Sequence, residues 1–187
     1  EDILEITSGK AYTDQSSPSW SSDREWVSFL WNCTGVSTIW IVSADGTEPP
    51  QILPISTPNP LRSLRSPMLS PVGDRVVYFD AYTNGIYVFD FHFHAQTGEV
   101  IADNDDYVTT GTSPSWSPDG GALIVTKQEL PTPPFNFNIW RVDLTTGFPL
   151  TRLTTEGQTN GDWSPDGSLI AHSISFPGYQ TLVFPAT

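Results

Sequence analysis

Three histidines, one cysteine and a short acidic run are the groups from which this chain could assemble catalysis or a metal centre. His92-Phe93-His94 has the two-residue spacing that puts both imidazoles on one face of a strand, as a pair of metal ligands would require. No third His or Cys lies near them in sequence, so a surface edge is the better reading. His172 stands where earlier copies of a repeated pattern carry Phe29, Tyr78 and Val125, and is expected as a core imidazole filling an aromatic slot. In Asp103-Asn104-Asp105-Asp106, the carboxylates of Asp103, Asp105 and Asp106 are candidate calcium ligands in the connection between the second and third sheets. The run lacks the glycine and terminal glutamate spacing of an EF-hand, and no other cofactor is implied. A Gly-x-Ser-x-Gly elbow is absent. Since no nucleophile, acid and base converge in the sequence, the chain is expected not to be an enzyme.

What positions these groups is a repeat. SPSWSSDREWVSF begins at residue 17, SPMLSPVGDRVVY at 66, SPSWSPDGGALIV at 113 and NGDWSPDGSLIAH at 160. The anchors Trp20, Leu69, Trp116 and Trp163 are 49, 47 and 47 residues apart, so one structural unit is used four times. After each anchor comes a turn: Ser-Ser-Asp-Arg, Ser-Pro-Val-Gly, then Ser-Pro-Asp-Gly twice. Proline presets the first corner, aspartate bonds its own backbone, and glycine takes the positive φ that closes the reversal. Turn-making thus explains the recurrence of Asp23, Asp119 and Asp166 better than metal ligation does.

Seven and nine residues past the anchors, Val27/Phe29, Val76/Tyr78, Leu123/Val125 and Ile170/His172 share one face of a second strand. A β-branched and aromatic third strand follows at 39–42, 86–89, 139–142 and 181–184, and a short fourth at 51–53, 99–101 and 150–153. The fourth copy lacks that last strand. Leu4-Glu5-Ile6-Thr7 resembles the Thr151-Arg152-Leu153-Thr154 strand and can complete the final sheet from the other end of the chain. The expected fold is all-β, a β-propeller of four four-stranded antiparallel blades closed by the N-terminal strand. One domain, 1–187, would hold blades at about 16–54, 65–102, 112–154 and 159–187, the last completed by residues 2–7. Either one chain closes a four-bladed ring, the favoured reading, or two chains form an eight-bladed one.

Trp-Ser-Pro-Asp-Gly followed by an apolar strand, with Asn-Ile-Trp-Arg-Val-Asp-Leu later in the copy, resembles the WD40-like (PD40) repeat of the TolB propeller family. That repeat is shared by the propeller domains of several peptidases and by a pectin-fragment lyase, and the resemblance implies that each anchor Trp packs between neighbouring sheets while the turn reverses the chain beside it. The second copy departs from it with Leu69 for Trp and Val72-Gly73 for Asp-Gly. The resemblance implies a periplasmic or extracellular setting and protein partners, with the chain an accessory subunit of a membrane-associated assembly. The lyases' histidine cluster and the peptidases' hydrolase domain have no counterpart here, so neither activity is implied.

Composition narrows the partner. Eight Lys and Arg oppose 21 Asp and Glu, a net charge of −13, which disfavours nucleic acid and anionic membranes. No stretch approaches the ~20 apolar residues of a membrane-spanning helix, so direct insertion is not expected. The single Cys33 excludes an internal disulfide, and Asn32-Cys33-Thr34 is the one glycosylation triplet. Loops joining second to third strands carry Trp31, Tyr82, Phe135, Phe137, Phe176 and Tyr179. Aromatics held on proline-stiffened loops suit a protein-binding face. Arg62 and Arg65, two of the few basic residues, form a second candidate surface for an acidic partner. Sugar binding by the same aromatics, or a propeller attached to a hydrolase or lyase, are the alternatives.

Overall fold

Apolar residues alternate along short runs bounded by Gly, Pro and Asp, and the computed structural model turns each such run into a strand. It describes residues 5, 7, 13–33, 35–56, 63–130, 136–155, 157–174 and 180–186. The first sheet runs β1 (Thr13–Trp20), β2 (Trp26–Cys33), β3 (Val36–Ser43) and β4 (Gln51–Ile52). The second is β5 (Leu64–Leu69), β6 (Arg75–Asp80), β7 (Gly85–Phe93) and β8 (Val100–Thr110). The third is β9 (Thr112–Trp116), β10 (Ala122–Gln128), β11 (Phe137–Asp143) and β12 (Leu150–Arg152). The fourth has three strands among the described residues: β13 (Gln158–Trp163), β14 (Leu169–Ile174) and β15 (Gln180–Pro185).

Each sheet is a meander whose neighbours in space are neighbours in sequence. The fold is all-β, and the four sheets are the blades of a β-propeller. Of the segment 2–7 expected to complete the last sheet, only Glu5 and Thr7 are among the described residues.

The chain divides into two compact units, 1–83 with 87–107 and 84–86 with 108–187. In the first, Leu69 of the second sheet packs with Leu30, Ile39 and Ile41 of the first, in a core that also holds Tyr78, Phe89 and Phe91. In the second, Trp163 of the fourth sheet packs against Ile124 and Ile139 of the third, and Arg141 lies 6.0 Å over its ring. Within each unit, therefore, the anchor of the later sheet packs on the sheet before it. Trp116 is buried at 6% exposure, whereas Trp20, on the first sheet, is 61% exposed. The expectation that every anchor Trp packs between sheets fails at Trp20, which is 61% exposed.

The turns after the anchors share one geometry. Arg24, Gly73, Gly120 and Gly167 all have φ between 67° and 74°. Ser21, Ser117 and Ser164 accept a hydrogen bond from the backbone N–H of Trp26, Ala122 and Leu169, each at 2.9 Å. Asp23, Asp119 and Asp166 accept from the backbone two residues on, at 2.9 to 3.0 Å. In the second copy Ser70 bonds Val72 in place of an aspartate, and Gly73 alone supplies the left-handed residue. The reversal survives the change because the positive φ, not the carboxylate, is what it requires.

Candidate functional site

A feature that the sequence pattern did not disclose sits three residues before each anchor. Ser17, Ser66, Ser113 and Asn160 all have φ between 50° and 54°, and the strand register slips at each of these places. Every first strand thus carries a β-bulge built on a non-glycine residue in the left-handed region. Pro18, Pro67 and Pro114 follow the first three, which is the only hint the sequence holds.

In the second unit these bulges engage each other. Ser113 Oγ bonds Asn160 Oδ1 at 3.0 Å, and Ser115 Oγ donates to Asp162 Oδ1 at 2.7 Å. In the first unit Ser17 and Ser66 instead face an open cleft of about 380 Å³, lined also by Ser16, Asn32, Ser63 and Arg65. The Ser63 carbonyl accepts from Ala81 N–H at 3.0 Å, which brings the cleft beside the β6–β7 turn carrying Tyr82. Two sequence candidates, Tyr82 and Arg65, thus lie near one another in this unit, whereas Trp31, between the cleft-lining Leu30 and Asn32, is on the opposite face of the sheet with Phe29 and Trp40.

Their exposures differ. Tyr82 is 69% exposed, on a turn held by its own N–H donating to Asp80 Oδ1 at 2.9 Å. Trp31 is half-buried against Trp40, ring centroids 4.9 Å apart, and Phe137 is half-buried as well. Arg65 is exposed on β5. Phe135, Phe176, Tyr179 and Arg62 lie outside the described residues.

The calcium candidates are placed on β8 rather than in a connection between sheets, a correction to the sequence reading. Asp103 pairs with His92 Nδ1 at 2.8 Å, and Asp105 accepts from the Tyr78 hydroxyl at 2.9 Å. Asp106 accepts from Asn104 at 2.6 Å. His92 of β7 and Tyr78 of β6 hold this acidic run in a strand despite its poor intrinsic preference for one. Among the described residues no three His, Cys, Asp or Glu side chains come together as a metal-binding group.

Burial pushes the Tyr78 hydroxyl far above its ordinary range, and the nearby Asp105 carboxylate adds to the effect. His94 Nδ1 faces the N–H groups of Gln96 and Thr97 at 3.4 and 3.3 Å. His172 is buried at 5% exposure, edge-on to Phe184, and burial pulls its basicity below the usual imidazole value. The imidazole fills an aromatic slot, as its place in the repeat suggested.

A larger cleft, about 890 Å³, opens beside the exposed Trp20 and is lined by Arg24, Glu25, Trp26, Asp45 and Glu48. Trp26 forms its inner wall, stacked on Phe93 at 4.3 Å. Sequence reasoning missed this site because it assigned Trp20 to the interior.

No protein-family model and no curated protein matches the chain. Solved structures do. TolB from Acinetobacter baumannii is similar at 21% identity over 92% of this chain and 41% of its own, TM-score 0.63. A putative TolB from Agrobacterium tumefaciens is similar at 20% identity over 91% and 58%, TM-score 0.65. A puromycin-hydrolyzing peptidase from Mycobacterium tuberculosis is similar at 16% identity over 93% and 30%, TM-score 0.65. The chain spans about half the length of the TolB structures it matches. Repeated four-stranded meanders, the Ser-Pro-Asp-Gly turns and these superpositions together give the chain a TolB-like β-propeller fold.

Proposed function

We propose that this chain is a non-catalytic docking scaffold that binds protein through the β2–β3 and β6–β7 turn end of its first unit. It would act as an accessory subunit of an extracytoplasmic or membrane-associated assembly. The observation that carries the reading is the 69% exposed Tyr82 beside the Arg65 cleft, on turns braced by hydrogen-bonded sheets. An exposed tyrosine on a rigid turn offers contact area at little ordering cost. The groups best suited to acid–base chemistry are engaged in structure: His92 with Asp103, Asp105 with Tyr78, and His172 against Phe184. The resemblance to TolB supports the extracytoplasmic setting by analogy of fold.

The test is site-specific photo-crosslinking in the source cell. A crosslinker at Tyr82 should capture a discrete protein, and one at Thr47, on a β3–β4 turn, should not. Equal capture from both positions, or none from Tyr82, would overturn the reading. The Trp20 cleft favours a second one, sugar binding, because an exposed indole rimmed by Arg24, Glu25, Asp45 and Glu48 is a platform with polar partners for hydroxyls. Quenching of tryptophan fluorescence by oligosaccharides, lost in Trp20→Ala, would support it.

A further inference from the structure

We propose that the cleft between β1 and β5 is a carboxylate-binding site, with Arg65 as the charged ligand and the Ser17 and Ser66 hydroxyls as flanking donors. One position in the repeat occurs in two states. In the second unit the bulge residues satisfy one another, Ser113 to Asn160 at 3.0 Å. In the first unit the equivalent Ser17 and Ser66 have no side-chain partner among the described residues, and both line the 380 Å³ cleft. Both also hold a left-handed backbone, a strain that sets where their hydroxyls can point.

Arg65 stands on the same wall, exposed, one residue before Ser66. Its guanidinium is in no ion pair among the described residues, although acidic residues outnumber basic ones 21 to 8 in this chain. The ligand chemistry follows from charge and shape. A guanidinium offers a planar fork that matches one carboxylate, and neutral hydroxyls can satisfy its remaining lone pairs. A phosphate would bring nearly twice the charge to a single arginine on a protein of net charge −13, and is the poorer match.

The carboxylate has two possible sources, an Asp or Glu side chain of a docked protein or a small free carboxylate. The first rests on the docking function proposed above; the second does not. Titration of the isotope-labelled chain by NMR at constant ionic strength separates them. The probes are a blocked glycine-flanked glutamate peptide, its glutamine counterpart, acetate, and inorganic phosphate.

Saturable shifts of Arg65 Nε and the Ser17 and Ser66 amides are expected with a carboxylate probe. The glutamine peptide should produce none, and phosphate should bind more weakly. Response to the glutamate peptide alone assigns the site to a protein segment. Response to acetate as well keeps the site but removes its support for docking. Arg65→Ala should weaken binding by at least about tenfold, and Arg65→Lys should fall between, because it keeps charge and loses the fork. Ser66→Ala should weaken it several-fold with the rest of the spectrum unchanged, which separates lost donation from lost folding. Absence of saturable shifts, equal response to glutamine or phosphate, or undiminished binding by Arg65→Ala would overturn the proposal.

Discussion

Trp20 and Trp116 occupy the same place in the repeat and should respond oppositely to truncation. An indole buries about 200 Å² when fully enclosed. For Trp116, at 6% exposure, nearly all of that is withdrawn from water, worth about 5 kcal/mol at ~25 cal/mol per Å². Alanine keeps a small part of the burial and a residual cavity adds to the loss, so Trp116→Ala should cost about 3 to 5 kcal/mol. For Trp20, at 61% exposure, only some two-fifths of the surface is covered, about 80 Å² and about 2 kcal/mol. After the part that alanine retains, Trp20→Ala should cost roughly 1 kcal/mol. Urea unfolding followed by far-ultraviolet circular dichroism reads both, the change appearing as a shifted midpoint at constant slope. A loss under about 1 kcal/mol for Trp116→Ala, or equal losses for the two, would refute the reasoning that one anchor is enclosed and the other open.

Three further outcomes are expected. Gly111 has φ +142°, and a Cβ there would lie 2.8 Å from the Thr126 carbonyl oxygen, so Gly111→Ala should lower stability by roughly 2 to 4 kcal/mol in the same urea assay. Tyr78 holds its proton in the fold well beyond the pH at which an unfolded tyrosine, with an ordinary value of 10.0, has lost it. Its contribution is therefore intact below about pH 10 and falls as pH rises further; Tyr78→Phe should flatten that alkaline decline in thermal midpoint. At the acid end, hydrogen bonds from the turn serine and the following residues hold Asp23 and Asp119 below 3.8 and Asp166 down to about 2. The stability they supply is present above pH 3.8 and is lost as pH falls toward 2; Asp166→Asn should weaken that acid dependence, and an unchanged pH profile would argue against the turn network.

The repeat was legible because its parts agree across levels. Trp, Ser-Pro-Asp-Gly and an alternating strand each predict the same reversal, so anchors, turns and second strands fall where the sequence places them. Gly73 kept the second copy readable even without its aspartate. What escaped was set by contacts distant in sequence. Nothing in Asp103 to Asp106 announces a strand, and it is the hydroxyl of Tyr78 and the imidazole of His92 that hold those carboxylates on β8. The left-handed Ser17 and Ser66 are equally silent, since serine carries no bias toward positive φ comparable to glycine's. Trp20 misled for a related reason. Its local motif is that of a buried anchor, and whether another blade covers it is not a local property. Of the candidate site, the residues Tyr82 and Arg65 were readable as exposed and unusual, but the serine-lined cleft beside Arg65 was not.

Docking through the Tyr82 and Arg65 end of the first unit is the central claim, and native mass spectrometry of the protein gently isolated from its source tests it most directly. The expected result is a stoichiometric partner chain bound to the protein, and its release in a Tyr82→Ala, Arg65→Ala variant that retains the wild-type fold. Recovery of the chain without any partner, or a partner that stays bound to that variant, would contradict it.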